Sequence, residues 1–214
     1  MSNTSSIVVF SLSGFNATVN YRVTLFSLTV LTYCVIMVLN VSLILPVTII
    51  LDKSLQEPMY ICLCNLCINE LYGTAGFYPK FTFDLLCDVH IISYVGCLLQ
   101  IFVIYSYAMV HYSVLTLMSY DRYVAICRPL EYHFVMSPRR TAVLVALSWL
   151  VPLCSKLMVV ILTSTLKLCG SHIEKIYCEN WAVVKLACSS TKAIDIYGLI
   201  VMTFYIGHFL FIVG

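Results

Sequence analysis

The chain has 214 residues, of which 61% are hydrophobic and only 10% are charged, and its mean hydropathy is +0.97. Soluble domains carry about 25% charged residues, so this composition excludes an ordinary soluble fold and indicates a protein that has lipid as the solvent for most of its surface. The net charge of +2 and the lack of a basic cluster interleaved with aromatic residues argue against nucleic acid as a partner.

The first 22 residues precede the first long uncharged run and contain two N-glycosylation sequons, at Asn3 and Asn16. Sequons are used only on the lumenal or extracellular side of a membrane. Arg22 is the first basic residue, so a cleaved signal peptide is not expected and the first membrane span is predicted to act as the targeting signal. We therefore predict that residues 1–22 form an extracellular N-terminus.

Five uncharged or nearly uncharged runs follow, and each is long enough to cross a membrane. A helix needs about 20 residues to cross the hydrocarbon core. The predicted spans cover about 23–51, 58–79, 91–121, 141–166 and 195–214. The ten-residue alternation of a membrane β-barrel is absent. The sequence thus predicts an all-α membrane protein.

The connections between these runs are short, with one exception. A second loop is predicted over 80–90, and Arg128-Pro129 is expected to end the third span because proline cannot continue a helix. Ser137 is a candidate N-cap for the fourth span. The exception is the connection over 167–195, which contains Cys169, Cys178 and Cys188.

The orientation of the chain in the membrane does not follow from basic residues alone. Four arginines follow the third span and four lysines lie in the long connection: Arg122, Arg128, Arg139, Arg140, Lys167, Lys175, Lys185 and Lys192. The sequons break this tie, and so do the cysteines of the long connection, because disulfides need an oxidising compartment. We therefore predict that the arginine side is cytoplasmic.

Cys62, Cys64 and Cys67 form a Cys-x-Cys-x-x-Cys run inside the second predicted span. The spacing invites a metal-binding interpretation, but the sequence offers no matching ligand set. Small packing residues between membrane helices are the favoured interpretation, and no metal is expected.

The third span carries a cysteine at one end and an acid-base pair at the other. Cys97 and Arg122 are 25 positions apart, or about 37 Å of helix, which is enough to cross the hydrocarbon core. Asp121-Arg122-Tyr123 ends thirty residues without a formal charge. By itself this triplet is an interfacial charge pair that marks where a helix leaves the membrane.

A long third span with an outer cysteine and an inner Asp121-Arg122-Tyr123 resembles the rhodopsin-like G protein-coupled receptors. The finer resemblance is to the odorant (olfactory) receptor family, in three motifs: Pro58-Met59-Tyr60, the stretch Met118-Ser119-Tyr120-Asp121-Arg122-Tyr123-Val124-Ala125-Ile126-Cys127-Arg128-Pro129-Leu130, and Lys185-Leu186-Ala187-Cys188-Ser189. The stretch Asn65–Gly73 is similar to fish-type members. Two departures are Leu39-Asn40, where the family usually has Gly-Asn, and Glu70, where most members have Asp.

The resemblance implies a seven-helix receptor bundle of which the first five transmembrane helices are present, over residues 23–214. The chain is therefore expected to be either a fragment or a truncated gene product. The resemblance also implies disulfides Cys97–Cys178 and Cys169–Cys188, which leaves Cys87 over, although nothing in the sequence itself decides the pairing.

The resemblance implies three further sites. Asp121, Arg122 and Tyr123 become a switch for G protein coupling. Asn40 and Glu70 become an internal polar site that sometimes holds sodium in this class, with a protonated, hydrogen-bonded Glu70 as the alternative. The ligand pocket is expected at Gln100, Ile101, Ile104, Tyr105, Ala108, Tyr197 and Ile200, for which ordinary helix packing is the alternative. A mostly apolar pocket suits a small neutral organic molecule.

The function implied by the resemblance is that of a G protein-coupled odorant receptor in the plasma membrane. It would bind a small organic odorant between its helices and activate a heterotrimeric G protein on the cytoplasmic side. A secondary transporter is the second interpretation, a membrane enzyme the third, and a non-functional truncated remnant a further one. An enzyme would need a catalytic cluster at one depth, whereas Glu70 and His111 have no partner that the sequence identifies.

Overall fold

A computed structural model of the chain describes residues 9–13, 19–49 and 58–213. Its helices are α1 (Val19–Ile49), α2 (Pro58–Leu86), α3 (Tyr94–Cys127), α4 (Tyr132–Val135), α5 (Pro138–Ser164), α6 (Asn180–Val184) and α7 (Lys192–Val213), and its strands are β1 (Val9–Leu12), β2 (Ile91–Ser93) and β3 (His172–Ile173). The five long helices follow the order of the five predicted spans. The predicted all-α class is confirmed.

Three of the long helices are apolar and long enough to cross a membrane. Within the described ranges these stretches are Asn20–Leu45, Tyr94–Cys127 and Pro138–Ser164. The first of them has none of its residues buried in the protein, and large side chains such as Leu31 and Val38 are more than 60% exposed. Such a surface is stable only when lipid surrounds it.

Two helices run further than the uncharged runs indicate. α2 continues past Pro79 to Leu86, where the sequence predicts a loop, and Lys80 pairs with Asp84 one turn along the continued helix. An internal proline is tolerated in membrane helices because neighbouring groups satisfy the freed backbone. α3 begins only at Tyr94 but extends to Cys127, directly before Arg128-Pro129.

The helix starts show how local polar groups satisfy the first backbone amides. The Ser93 hydroxyl accepts a hydrogen bond from the Gly96 amide at 3.1 Å and caps α3. Ser137 occupies the N-cap position of α5 with an extended backbone, but its side chain makes no capping bond. Pro138 needs no partner there because it has no amide hydrogen.

A small sheet, which the sequence does not predict, covers one end of the bundle. β1 pairs antiparallel with β2 and parallel with β3. Phe10 of β1 is fully buried, together with Ile92 and Ile173 of the other two strands. This N-terminal strand therefore belongs to the core at the end of the bundle that carries Cys97 and Cys178, called here the disulfide end.

A second core lies at the opposite end, called here the Arg122 end. Its buried members are Cys62, Val110, Val114, Leu117 and Met136. Because α4 contributes Tyr132 and Val135 to the same cluster, the short α4 is packed against the bundle. Cys62 lies in this core as a small packing residue.

α2 and α3 approach each other closely at two glycines. A Cβ atom at Gly73 would overlap the Tyr107 ring, and one at Gly76 would overlap Val103. Small residues let membrane helices pack at short distance and permit interhelical hydrogen bonds. One such bond joins the Asn69 amide group to the Tyr107 carbonyl oxygen at 3.1 Å.

We expect Gly73→Ala to destabilise the folded protein by about 1–3 kcal/mol, the usual cost of overpacking a tight interface. Thermal unfolding of the purified protein in detergent measures the change. Gly207→Ala is the matched control, because a Cβ atom at Gly207 meets nothing within 4 Å. Equal unfolding temperatures for the two variants would contradict the close packing.

Candidate functional site

Two disulfides organise the long connection between α5 and α7. Cys97 at the start of α3 is bonded to Cys178, and Cys169 is bonded to Cys188, with Cα–Cα distances of 5.3 and 5.8 Å. These are the pairs that the family resemblance implies. Cys87 is free and half-buried.

The Cys97–Cys178 disulfide positions α6 above a cavity at the disulfide end. Cys178 is fully buried, and its backbone amide donates a hydrogen bond to Gln100 Oε1 at 2.9 Å. On the other side, Thr163 of α5 donates to the side-chain oxygen of Asn180 at 2.8 Å. α6 is thus held to both α3 and α5.

The cavity beneath α6 has a volume of about 340 Å³, within the usual range for small-molecule sites. It is lined by Ile101, Tyr105, Met109, Lys156, Val159, Asn180, Trp181, Ile194, Asp195, Gly198 and Met202. The lining is mostly hydrocarbon, with a lysine and a few other polar groups.

The structure brings only part of the predicted pocket together. Ile101 and Tyr105 line the cavity on the stripe that continues to Met109 at helical spacing. Gln100 lies on a neighbouring face, where it holds the Cys178 amide. Ile104 and Ala108 are not among the lining residues either. Two of the five residues predicted on this helix thus line the cavity, and their contact with a ligand stays a prediction.

On α7 the predicted face is rotated away from the cavity. Ile194, Gly198 and Met202 line it at spacings of four residues, whereas Ile200 is 61% exposed on another face. The Tyr197 hydroxyl donates to the Ser155 carbonyl oxygen of α5 at 3.2 Å. Apolar residues surround this helix on all sides, so their pattern does not indicate which face looks inward.

The internal polar site is built differently from the predicted one. The Tyr107 hydroxyl lies 3.0 and 3.2 Å from the two carboxylate oxygens of Glu70 and donates to them. His111 Nδ1 is 3.0 Å from Glu70 Oε1, an ion-pair distance without hydrogen-bond geometry. Asn40 instead donates to the Ile36 carbonyl oxygen of its own helix. The expectation that Glu70 and His111 are isolated is wrong, because each is the other's neighbour.

In the charged triplet at the Arg122 end, the acidic residue is buried and the basic residue is exposed. Asp121 is 1% exposed, whereas the Arg122 side chain is 51% exposed, and Nε of Arg122 lies 3.6 Å from Oδ2 of Asp121. The Tyr132 hydroxyl of α4 donates to Asp121 Oδ1 at 2.9 Å. Arg122 also contacts the sulfur of Met59. Tyr123 is exposed.

Polar contacts across helices that the sequence did not identify connect these sites. Trp149 Nε1 donates to Asn65 Oδ1 at 3.0 Å and joins α5 to α2. The hydroxyls of Tyr72 and Ser106 are 2.8 Å apart and join α2 to α3. No single-sequence periodicity pairs residues so far apart in the chain.

The predicted glycosylation sites Asn3 and Asn16 lie outside the described residues. Among the described residues, no three His, Cys, Asp or Glu side chains converge as a metal ion would require.

Comparison with known proteins gives a consistent result. The family model described as "Olfactory receptor" matches residues 29–214. Olfactory receptor 10H2 of Homo sapiens is 36% identical over 213 residues, covering 98% of this chain and 67% of that protein. Olfactory receptor 4M1 of Homo sapiens is 34% identical over 190 residues (88% and 60%), and olfactory receptor 6E1 of Mus musculus is 32% identical over 209 residues (95% and 65%). The chain spans about two thirds of the length of these relatives.

We expect peptide mapping of the unreduced protein to recover Cys97 linked to Cys178 and Cys169 linked to Cys188. The reason is that each pair lies at the Cα distance of a disulfide. A thiol reagent should label Cys87 in the same unreduced sample. Recovery of Cys87 in a disulfide with any of these four would contradict the arrangement.

Removal of the Tyr107 hydroxyl should destabilise the polar site. We expect Tyr107→Phe to cost about 1–3 kcal/mol in the free energy of unfolding, because it leaves the Glu70 carboxylate without its donor. Thermal unfolding in detergent measures the loss. Tyr112→Phe, at an exposed position on the same helix, is the control.

A double-mutant cycle with Glu70→Gln identifies the partner of that hydroxyl. If Tyr107 acts through Glu70, the Tyr107→Phe cost changes by at least about 0.5 kcal/mol when Glu70 is already Gln. Strictly additive effects of the two changes would contradict the pairing.

Proposed function

This chain belongs to the olfactory receptor family of G protein-coupled receptors, which are not enzymes, and we propose that it binds a small organic odorant in the cavity beneath α6 and activates a heterotrimeric G protein at the Arg122 end. The observation that carries the proposal is the arrangement of α3. One helix lines the cavity through Ile101 and Tyr105 and presents the buried Asp121 beside the exposed Arg122 at its other end.

The chemistry of the cavity supports a small-molecule ligand. Its lining is largely aliphatic and aromatic, with a few polar groups that fix orientation, as is usual for small-molecule sites. Trp181 of α6 contributes its indole ring to this lining. A peptide ligand has less support, because α6 and the small sheet occupy this end of the bundle.

The geometry of the charged triplet supports a coupling switch. Asp121 is fixed by Tyr132, so the carboxylate has a partner that belongs to another element. Arg122 makes a long contact with Asp121 and a contact with the sulfur of Met59, and half of its side chain is exposed. A guanidinium in this position has donors available for the backbone carbonyls or carboxylates of a partner protein.

The orientation proposed for the chain follows from its cysteines and sequons. The two disulfides support a position of the long connection in an oxidising compartment, because disulfides form and persist there. β1 belongs to the same end of the molecule, which supports an extracellular N-terminus and a cytoplasmic Arg122. The chain is a multi-pass membrane protein, and we place it in the plasma membrane.

The alternatives have less support. A transporter is not favoured, because the relatives that match 88–98% of this chain are named olfactory receptors. A sodium ion near Glu70 fits the site poorly. A hard cation prefers several oxygen ligands, whereas the carboxylate already accepts from Tyr107 and lies beside His111.

In cells that express the full-length protein containing this chain, we expect Arg122→Ala to reduce odorant-driven cyclic-AMP production to the basal level while surface expression stays largely intact. The exposed guanidinium is proposed to contact the G protein and contributes little to packing. Arg139→Ala is the matched control, because it removes an exposed positive charge near the same end. Unchanged odorant-driven signalling by the Arg122→Ala variant would contradict the proposed switch role.

A further inference from the structure

One lysine, Lys156, lines the cavity, and it takes no part in the proposed coupling site at the Arg122 end. Lys156 lies within the membrane-crossing part of α5, only 8% of the residue is exposed, and its side chain lines the cavity. Within the described residues it forms no hydrogen bond and no ion pair. The Lys156 Nζ atom is not among the fully buried unpaired polar atoms, so it keeps access to the cavity. A charged side chain within a membrane span is costly, so a lysine without a partner at this position calls for an explanation.

The acids near the cavity do not supply that partner. Asp195 is the one carboxylate among the lining residues; it lies on exposed surface in the first turn of α7 and accepts a hydrogen bond from Thr191 at 2.9 Å. Glu179, next to α6, lies 3.5 Å from Lys175. Neither is within 4.0 Å of Lys156, and Asn180 is already bonded to Thr163.

We propose that Lys156 selects the ligand by pairing with its carboxylate, and that the odorant is an organic acid with an apolar tail. This inference rests on the proposed function and narrows its ligand class. The ammonium would hold the carboxylate through charge-assisted hydrogen bonds, which are roughly twice as strong as neutral ones. Ile101, Met109, Val159, Ile194 and Met202 provide the apolar wall for the tail.

The inference departs from the neutral ligand that the sequence predicts. The sequence shows Lys156 as the single charge in the fourth uncharged run, but it does not show which way the side chain points. The structure turns it toward the cavity, where a neutral ligand would leave the ammonium without compensation.

A matched ligand series tests the inference in cells expressing the full-length protein. The probes are straight-chain acids from butanoate to decanoate, the alcohols of equal length and the methyl esters of the same acids. We expect the best acid to activate at a concentration at least about tenfold lower than its alcohol or ester, a difference of about 1.4 kcal/mol. Equal potency of acid, alcohol and ester in the wild type would overturn the proposal without any variant.

Variants then assign the effect to Lys156. Lys156→Met should raise the effective concentration of the best acid at least about tenfold and leave the alcohol within about threefold. Lys156→Arg, which keeps the charge, should retain most of the acid response. Lys167→Met removes an exposed lysine from the same end of the molecule and should change neither response.

Two other outcomes would overturn the proposal. An equal loss of acid and alcohol responses in Lys156→Met, at unchanged surface expression, would make the residue structural. If Asp195→Asn is as damaging as Lys156→Met for every ligand, the two side chains act as an internal pair that supports the cavity.

A binding measurement separates this inference from the proposed function. If no compound of any class raises cyclic-AMP production, signalling fails, and the thermal unfolding of the purified full-length protein decides the binding question. Octanoate should then raise the unfolding temperature of the wild type more than that of Lys156→Met, with 1-octanol as the reference. No such difference would overturn the acid-binding proposal.

Discussion

The cost of burying polar groups where no water reaches them organises this bundle. Asp121 is almost inaccessible and receives a hydrogen bond from Tyr132, and Glu70 receives one from Tyr107. Each bond joins two elements, so each also fixes how those elements pack. Lys156 is the exception among the described charges buried in membrane-crossing segments, because none of the described residues pairs with it.

The helices could be predicted from the sequence because lipid excludes charge. Long uncharged runs therefore mark the spans, and the five long helices follow them in order. Helix ends were predicted less well, since Pro79 lies inside α2 and β2 shortens the start of α3. The sheet that buries Phe10 escaped prediction because strands of two to four residues far apart in the chain carry no periodic signal.

The site residues that depend on local sequence could be predicted, whereas those that depend on contacts between helices could not. Asp121 and Arg122 lie at a helix end, and a charge after a long apolar run is a local signal. The partnership of Glu70 with His111 depends on how two helices pack, which an isolated sequence does not show. The inward face of α7 was missed for a related reason. Ile200 and Met202 are both apolar, and only the packed structure distinguishes the residue that faces the cavity from the one that does not.

The proposed ligand contact at Lys156 adds a second helix, α5, to the connection that α3 makes between the cavity and the Arg122 end. Tyr105 and Asp121 are 16 positions apart on α3, about 24 Å of uninterrupted helix without proline. α5 offers a second connection. It begins at Pro138, two residues after Met136, and the preceding α4 carries Tyr132, the hydrogen-bond donor to Asp121.

Pro152 lies one turn before Lys156 and removes a backbone hydrogen bond from α5, so the helix is easiest to bend there. A carboxylate paired with Lys156 would act on α5 one turn from this proline. Under the proposed binding mode, α5 therefore connects the ligand to the segment before Pro138, where the Tyr132 hydroxyl donates to Asp121, in addition to the connection along α3.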